Sequence, residues 1–145
     1  MSELAGAAAR PARLGSLATR LAAVTFVALG LGFGIGALVA LDHDRRHGEM
    51  PMTPWGFRAF AGGPFDSLSH DRFTALLWAV VGVCALDVVA GALLARGRRR
   101  GATLGLATSP VAFVLSAGFA LPFLLIGVPI RVALLLAGRE GLRRP

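Results

Sequence analysis

ATLGLATSPVAFVLSAGFALPFLLIGVPIRVALLLAG, residues 102–138, carries a single ionisable side chain, Arg131, and three prolines, Pro110, Pro122 and Pro129. One straight helix of that length would measure about 55 Å, nearly twice the roughly 30 Å hydrocarbon core of a bilayer. A proline removes a backbone donor, and the residue before it avoids the helical region. The stretch therefore reads as a helical hairpin turning near Gly118 to Pro122, with arms at 102–118 and 121–138. Each arm is at the short end of what spans a membrane. A re-entrant pair is the alternative.

The rest of the chain supports a membrane setting. Of its 145 residues, 55% are hydrophobic, and the mean hydropathy is +0.68, too apolar for an ordinary soluble domain. Residues 20–41 form a first span, followed by a loop at 42–72. A second span at 73–95 is interrupted only by Asp87, and a basic turn occupies 96–101. Residues 1–19, rich in Ala, Gly and Arg, lack apolar periodicity and read as a partly disordered basic tail, with a second basic tail at 139–145. Arg10, Arg13 and Arg20 precede the first apolar run as a signal peptide's basic region would. That run is too long for a signal, and no clean small-x-small site precedes Asp42, so an uncleaved anchor is the better reading.

Cytoplasmic flanks carry the arginine excess. The first tail with Arg20 at its edge holds three arginines against Glu3, the 96–101 turn four against no acid, and the last tail Arg139, Arg143 and Arg144 against Glu140. The 42–72 loop holds five acids against four arginines. Four spans with both termini cytoplasmic satisfy every segment; three would put the last arginines outside. The expected fold is thus all-α, one polytopic membrane domain, placed by composition in a bacterial inner membrane. All fifteen basic residues are arginine, and Lys, Asn, Gln and Tyr are absent, a bias that fits a high-GC genome.

The net charge of +7 does not indicate nucleic acid, because the arginines flank apolar runs and lack interleaved stacking aromatics. Arg96, Arg98, Arg99 and Arg100 instead suit anionic lipid at the inner leaflet, at about 1 kcal/mol each. The lone cysteine, Cys84, rules out an intramolecular disulfide and reads as a packing residue. No Walker A motif, dinucleotide fingerprint, GxSxG elbow or HExxH appears, and no cofactor is implied.

Three groups of residues are candidate sites. Gly30, Gly32, Gly34 and Gly36 form small-xxx-small faces for close helix packing, within the bundle or between protomers. Asp87 and Arg131 are the ionisable residues deep in apolar spans, where such groups normally pair. In the four-span topology both lie about 12 to 13 Å from the inner boundary, at 1.5 Å per residue, which predicts an ion pair between the second and fourth spans. Its plain meaning is a strut fixing helix register, and its functional meaning a proton or substrate site.

The third group is outside. Asp42, His43, Asp44, His47 and Glu49 offer metal-ligand chemistry, with His70 at the loop's far end. Arg45 and Arg46 inside the cluster argue instead for a polar exit segment. Between these ends, Trp55, Phe57 and Phe60 among prolines and glycines read as interface anchors on a loop lying on the membrane or on a partner. The expected function is a non-enzymatic accessory or assembly subunit of a larger membrane complex. The alternatives are a homo-oligomeric transporter or proton-coupled channel using Asp87 and Arg131, and, third, a metal enzyme using His43, His47 and His70.

Overall fold

The computed structural model describes the backbone of residues 2–138 and side chains from residue 17 onward; the basic tail at 139–145 lies outside the described residues. Four helices follow one another: α1 Ser2–His47, α2 His70–Ala95, α3 Arg99–Gly118 and α4 Pro122–Gly138. A short 3-10 turn, Pro64–Ser67, lies in the loop between α1 and α2.

Three of these helices have segments long and apolar enough to cross a membrane: Leu17–His47, His70–Ala95 and Arg99–Gly118. The fourth is apolar but has 17 residues, or about 26 Å of rise. α1 begins at Ser2, far before the expected start near residue 20, and runs on to His47. An apolar stripe is the wrong guide to its first turns: the segment's Ala, Leu and Arg are strong helix formers that need no amphipathic pattern, and the helix continues through Gly6, Pro11 and Gly15. The helix stops where Gly48, at φ +73°, returns its N–H to the carbonyl of Asp44 at 2.7 Å.

Both tight turns between later helices close in the same way. After α2, Gly97 (φ +70°) donates to the Leu94 carbonyl at 2.8 Å, and Arg98 to Leu93 at 2.9 Å. This is the Schellman pattern that recaptures orphaned carbonyls. After α3, Ala120 donates to Ala117 at 3.2 Å and Leu121 to Ser116 at 2.8 Å, but the left-handed position is held by Ala120, at φ +49°. A Cβ there costs about 1–2 kcal/mol, and Ala120 is exposed, so its methyl contributes little packing. Ala120→Gly is therefore expected to stabilise the protein by about 1 kcal/mol, read as a higher melting temperature in detergent. Of the three prolines in the hairpin, only Pro122 marks the turn; Pro110 and Pro129 sit inside α3 and α4, where neighbouring helices make such breaks tolerable in a bundle.

Each of α1 and α3 packs against both α2 and α4. The bundle is thus a square in which α1 faces α3, and α2 faces α4, across the diagonals. One core layer, near the α1–α2 loop, gathers Leu41, Met50, Phe73, Leu77 and Phe119. The layer at the opposite end gathers Ala22, Phe26, Ala90, Leu94 and Leu135. Along α2 and α4, Asp87 and Arg131 fall between these layers.

Candidate functional site

Both diagonals of the square meet at the pair. Arg131 of α4 donates from Nη1 to Oδ2 of Asp87 on α2, and the two residues are 0% and 1% exposed. Thr108 of α3 donates from Oγ1 to the other carboxylate oxygen, Oδ1, at 3.0 Å, while lying 3.2 Å from the carbonyl of Gly105. On the other diagonal, Phe26 of α1 presents its ring face to the guanidinium, with Cζ of Arg131 4.5 Å from the ring centroid. A cation over an aromatic face is attracted by the ring's quadrupole, more so when desolvated. All four helices thus contribute one group to a single charge cluster.

The ring is held in place from behind. A Cβ at Gly105 would stand 2.6 Å from Cζ of Phe26, so only glycine lets α3 approach the ring this closely. Oδ1 and Oδ2 of Asp87 are both satisfied, but Nε and Nη2 of Arg131 have no hydrogen-bond partner among the described residues. The Phe26 face is what those donors have in place of an acceptor. A void of about 10 Å³ beside Asp87, bordered by Cys84, Ala112 and Leu124, is at the lower limit for one water molecule.

Thr108, Phe26 and Gly105 are the members of this cluster that sequence reading misses. A threonine and a phenylalanine in apolar spans carry no pattern of their own. Gly101 and Gly105, however, are four apart, the same small-xxx-small spacing seen in α1, and Gly101 also abuts α2 at Ala90 and Leu94. That signal was legible.

The glycines of α1 divide by face. Cβ atoms at Gly30 and Gly34 would lie 2.8 Å from the Cys84 carbonyl and 3.1 Å from the Cys84 Cβ, so this pair seats α1 on α2. Gly32 faces open space, and a Cβ at Gly36 would lie 3.9 Å from Cζ of Phe60, an ordinary contact. The expected interface role of Phe60 does not fit its position: it turns inward, its ring edge-to-face with Phe119 at 6.0 Å. Phe65 and Phe73 surround the same ring, each at 5.2 Å. The loop is therefore folded onto the end of the bundle, and only its tip projects. Thr53 and Phe57 pair through their backbones at 2.7 Å around Gly56, leaving Trp55 81% and Phe57 72% exposed.

The histidines are not gathered into one site. His43 and His47, one turn apart on the extended α1, stack with ring centroids 4.2 Å apart. His70 instead places Nε2 3.3 Å from Oδ2 of Asp44, tying the start of α2 to the end of α1. Asp44 is buried, and its Oδ1 has no partner among the described residues. Glu49, Arg58, Asp66 and His70 border a cavity of about 230 Å³ at the α1–α2 loop, with Arg58 3.9 Å from Asp66. Among the described residues no group of three His, Cys, Asp or Glu side chains stands close enough to hold a metal ion. At the opposite end Arg96, Arg98, Arg99 and Arg100 are exposed.

The class these features define is an all-helical protein with apolar helices suited to a membrane and a charge cluster sealed at the bundle centre. No protein-family model matches the sequence, and no curated protein or solved structure is detectably similar to it. Function is therefore argued from the cluster and the surface alone.

Proposed function

We propose that the chain is a four-span bundle of a bacterial inner membrane, both termini cytoplasmic, acting as a non-enzymatic accessory or assembly subunit of a larger membrane complex. The observation that carries this reading is the closure of the polar core. Asp87 and Arg131 are consumed by each other, by Thr108 and by Phe26, and the adjoining void is too small for a substrate. Chemistry or transport needs polar groups that something can reach; here these groups hold four helices in register.

The surface is then what acts. Trp55 and Phe57 form an aromatic knuckle on the outer loop, and aromatics of this kind anchor interfaces. Farther along α1, the face of Leu31, Gly32 and Ile35 is exposed in the bundle, with Gly32 able to admit a neighbouring helix closely. Arginine placement supports the orientation: Arg99 and Arg100 open α3, where the helix dipole disfavours cations, so helix stability does not explain them and membrane sidedness does.

A second reading, a proton-coupled transporter, is favoured by one observation: Nε and Nη2 of Arg131 are buried donors with no acceptor among the described residues. Affinity purification of the tagged protein from its native membrane in mild detergent separates the two. A fixed stoichiometric partner, lost on Trp55→Ala with Phe57→Ala, is the expected result. Recovery of the protein alone or self-associated overturns the accessory role in favour of transport.

A further inference from the structure

The side of the bundle bearing the arginine turn carries a groove between α1 and α2. It is about 470 Å³ in volume and is lined by Arg20, Ala23, Val24, Val27 and Ala28 of α1 with Gly91 and Ala95 of α2. The α1 positions follow the spacing of a single helix face. They run for about 12 Å along the axis from Arg20 to Ala28. Gly91 lets α1 and α2 approach closely along the groove's floor: a Cβ there would stand 2.7 Å from Val27 Cγ2 and 2.8 Å from the Ala23 carbonyl. Its volume is within the range of ligand pockets.

Its chemistry is asymmetric. Everything past Arg20 is apolar, and Arg20 itself is exposed and forms no ion pair among the described residues. Arg96, exposed, follows the lining residue Ala95 directly at the α2 C-cap, so a second arginine stands at this end of the bundle. The carbonyls ending α2 carry the opposite partial charge, so the guanidiniums and not the backbone would attract an anion there. A cationic rim over an apolar trough, open sideways at the level of the surrounding hydrocarbon, fits a molecule with an anionic head and an acyl tail.

We infer that this groove binds one anionic phospholipid of the arginine-side leaflet, its phosphate at Arg20 and Arg96 and an acyl chain lying between α1 and α2. The site rests on the membrane reading above. It differs from general attraction of the 96–100 turn to lipid in having a shaped seat for one chain, and it predicts selectivity by headgroup together with sensitivity to filling the trough.

Native mass spectrometry of the full chain in detergent tests it, with added phosphatidylglycerol and phosphatidylcholine of identical chains. Preferential retention of one phosphatidylglycerol, by at least fivefold, is expected, about the factor one arginine provides near a membrane surface. Arg20→Gln should erase most of that preference. Ala28→Phe, at an exposed position, should fill the trough and remove the adduct while the melting temperature holds. Equal retention of the two lipids, or a preference indifferent to both substitutions, overturns the site. So does a dimer that Ala28→Phe dissociates, which would assign the groove to a second copy of the chain. Carbonate extraction keeps the two ideas apart: a chain that stays with the membrane but shows no lipid preference refutes the site alone, whereas release into the supernatant refutes the membrane reading.

Discussion

Arg131→Leu is expected to destabilise the protein by about 3–5 kcal/mol, the cost of leaving a buried charge uncompensated. The carboxylate of Asp87 would retain only Thr108, and its Oδ2 would face an apolar side chain. The sign is opposite for the pair removed together. Asp87→Asn with Arg131→Gln deletes both charges while keeping hydrogen-bonding groups, and replacing a buried ion pair as a unit is often neutral or favourable. Melting of the purified protein in detergent should therefore fall steeply for Arg131→Leu and recover in large part in the double variant. A double variant as unstable as the single one would mean that charge itself, and not mutual compensation, is required at the bundle centre.

Phe119→Ala is the second large effect, at about 3–5 kcal/mol. Phe119 is 1% exposed and is the shared partner of Phe60, Phe65 and Phe73, with edge-to-face pairs worth about 0.5–1.5 kcal/mol each beyond area burial. It lies in the α3–α4 turn, yet two of its partners belong to the α1–α2 loop, so it clasps the loop to the bundle. Close backbone approach reinforces this clasp: a Cβ at Gly118 would overlap the Phe65 ring, and one at Gly63 the Gly118 carbonyl. Part of the loss should accordingly appear as local opening. Tryptic cleavage at Arg58 in the native protein is expected to accelerate at least tenfold, the factor that about 1.4 kcal/mol of opening free energy produces. Unchanged cleavage alongside a lowered melting temperature would show that the loop is held by something other than this ring.

Much of the architecture is legible in the sequence because its signals are one-dimensional. The apolar runs and the Pro122 turn locate α2, α3 and α4 to within a few residues, and the equal distances of Asp87 and Arg131 from their helix ends suggest that they meet. What escapes is lateral. Counting along a helix gives depth but not which face a residue occupies, so Thr108, Phe26 and Gly105 do not announce their convergence on Arg131. The loop misleads for a related reason: Phe60 and Phe65 have the composition of interface anchors, and only the position of Phe119, far away in the chain, turns them inward. His70 likewise looks available beside His43 and His47 until the burial of Asp44 gives it a different partner.

The charge cluster as a structural strut, with function residing on the surface, is the central claim, and the Asp87→Asn, Arg131→Gln double variant tests it most directly. Purified through a tag from native membranes beside the wild type, the variant is predicted to bring down the same partner in the same stoichiometry, since neither side chain reaches the surface. Loss of the partner from a double variant that still melts as the wild type does would contradict the account and place function in the buried pair.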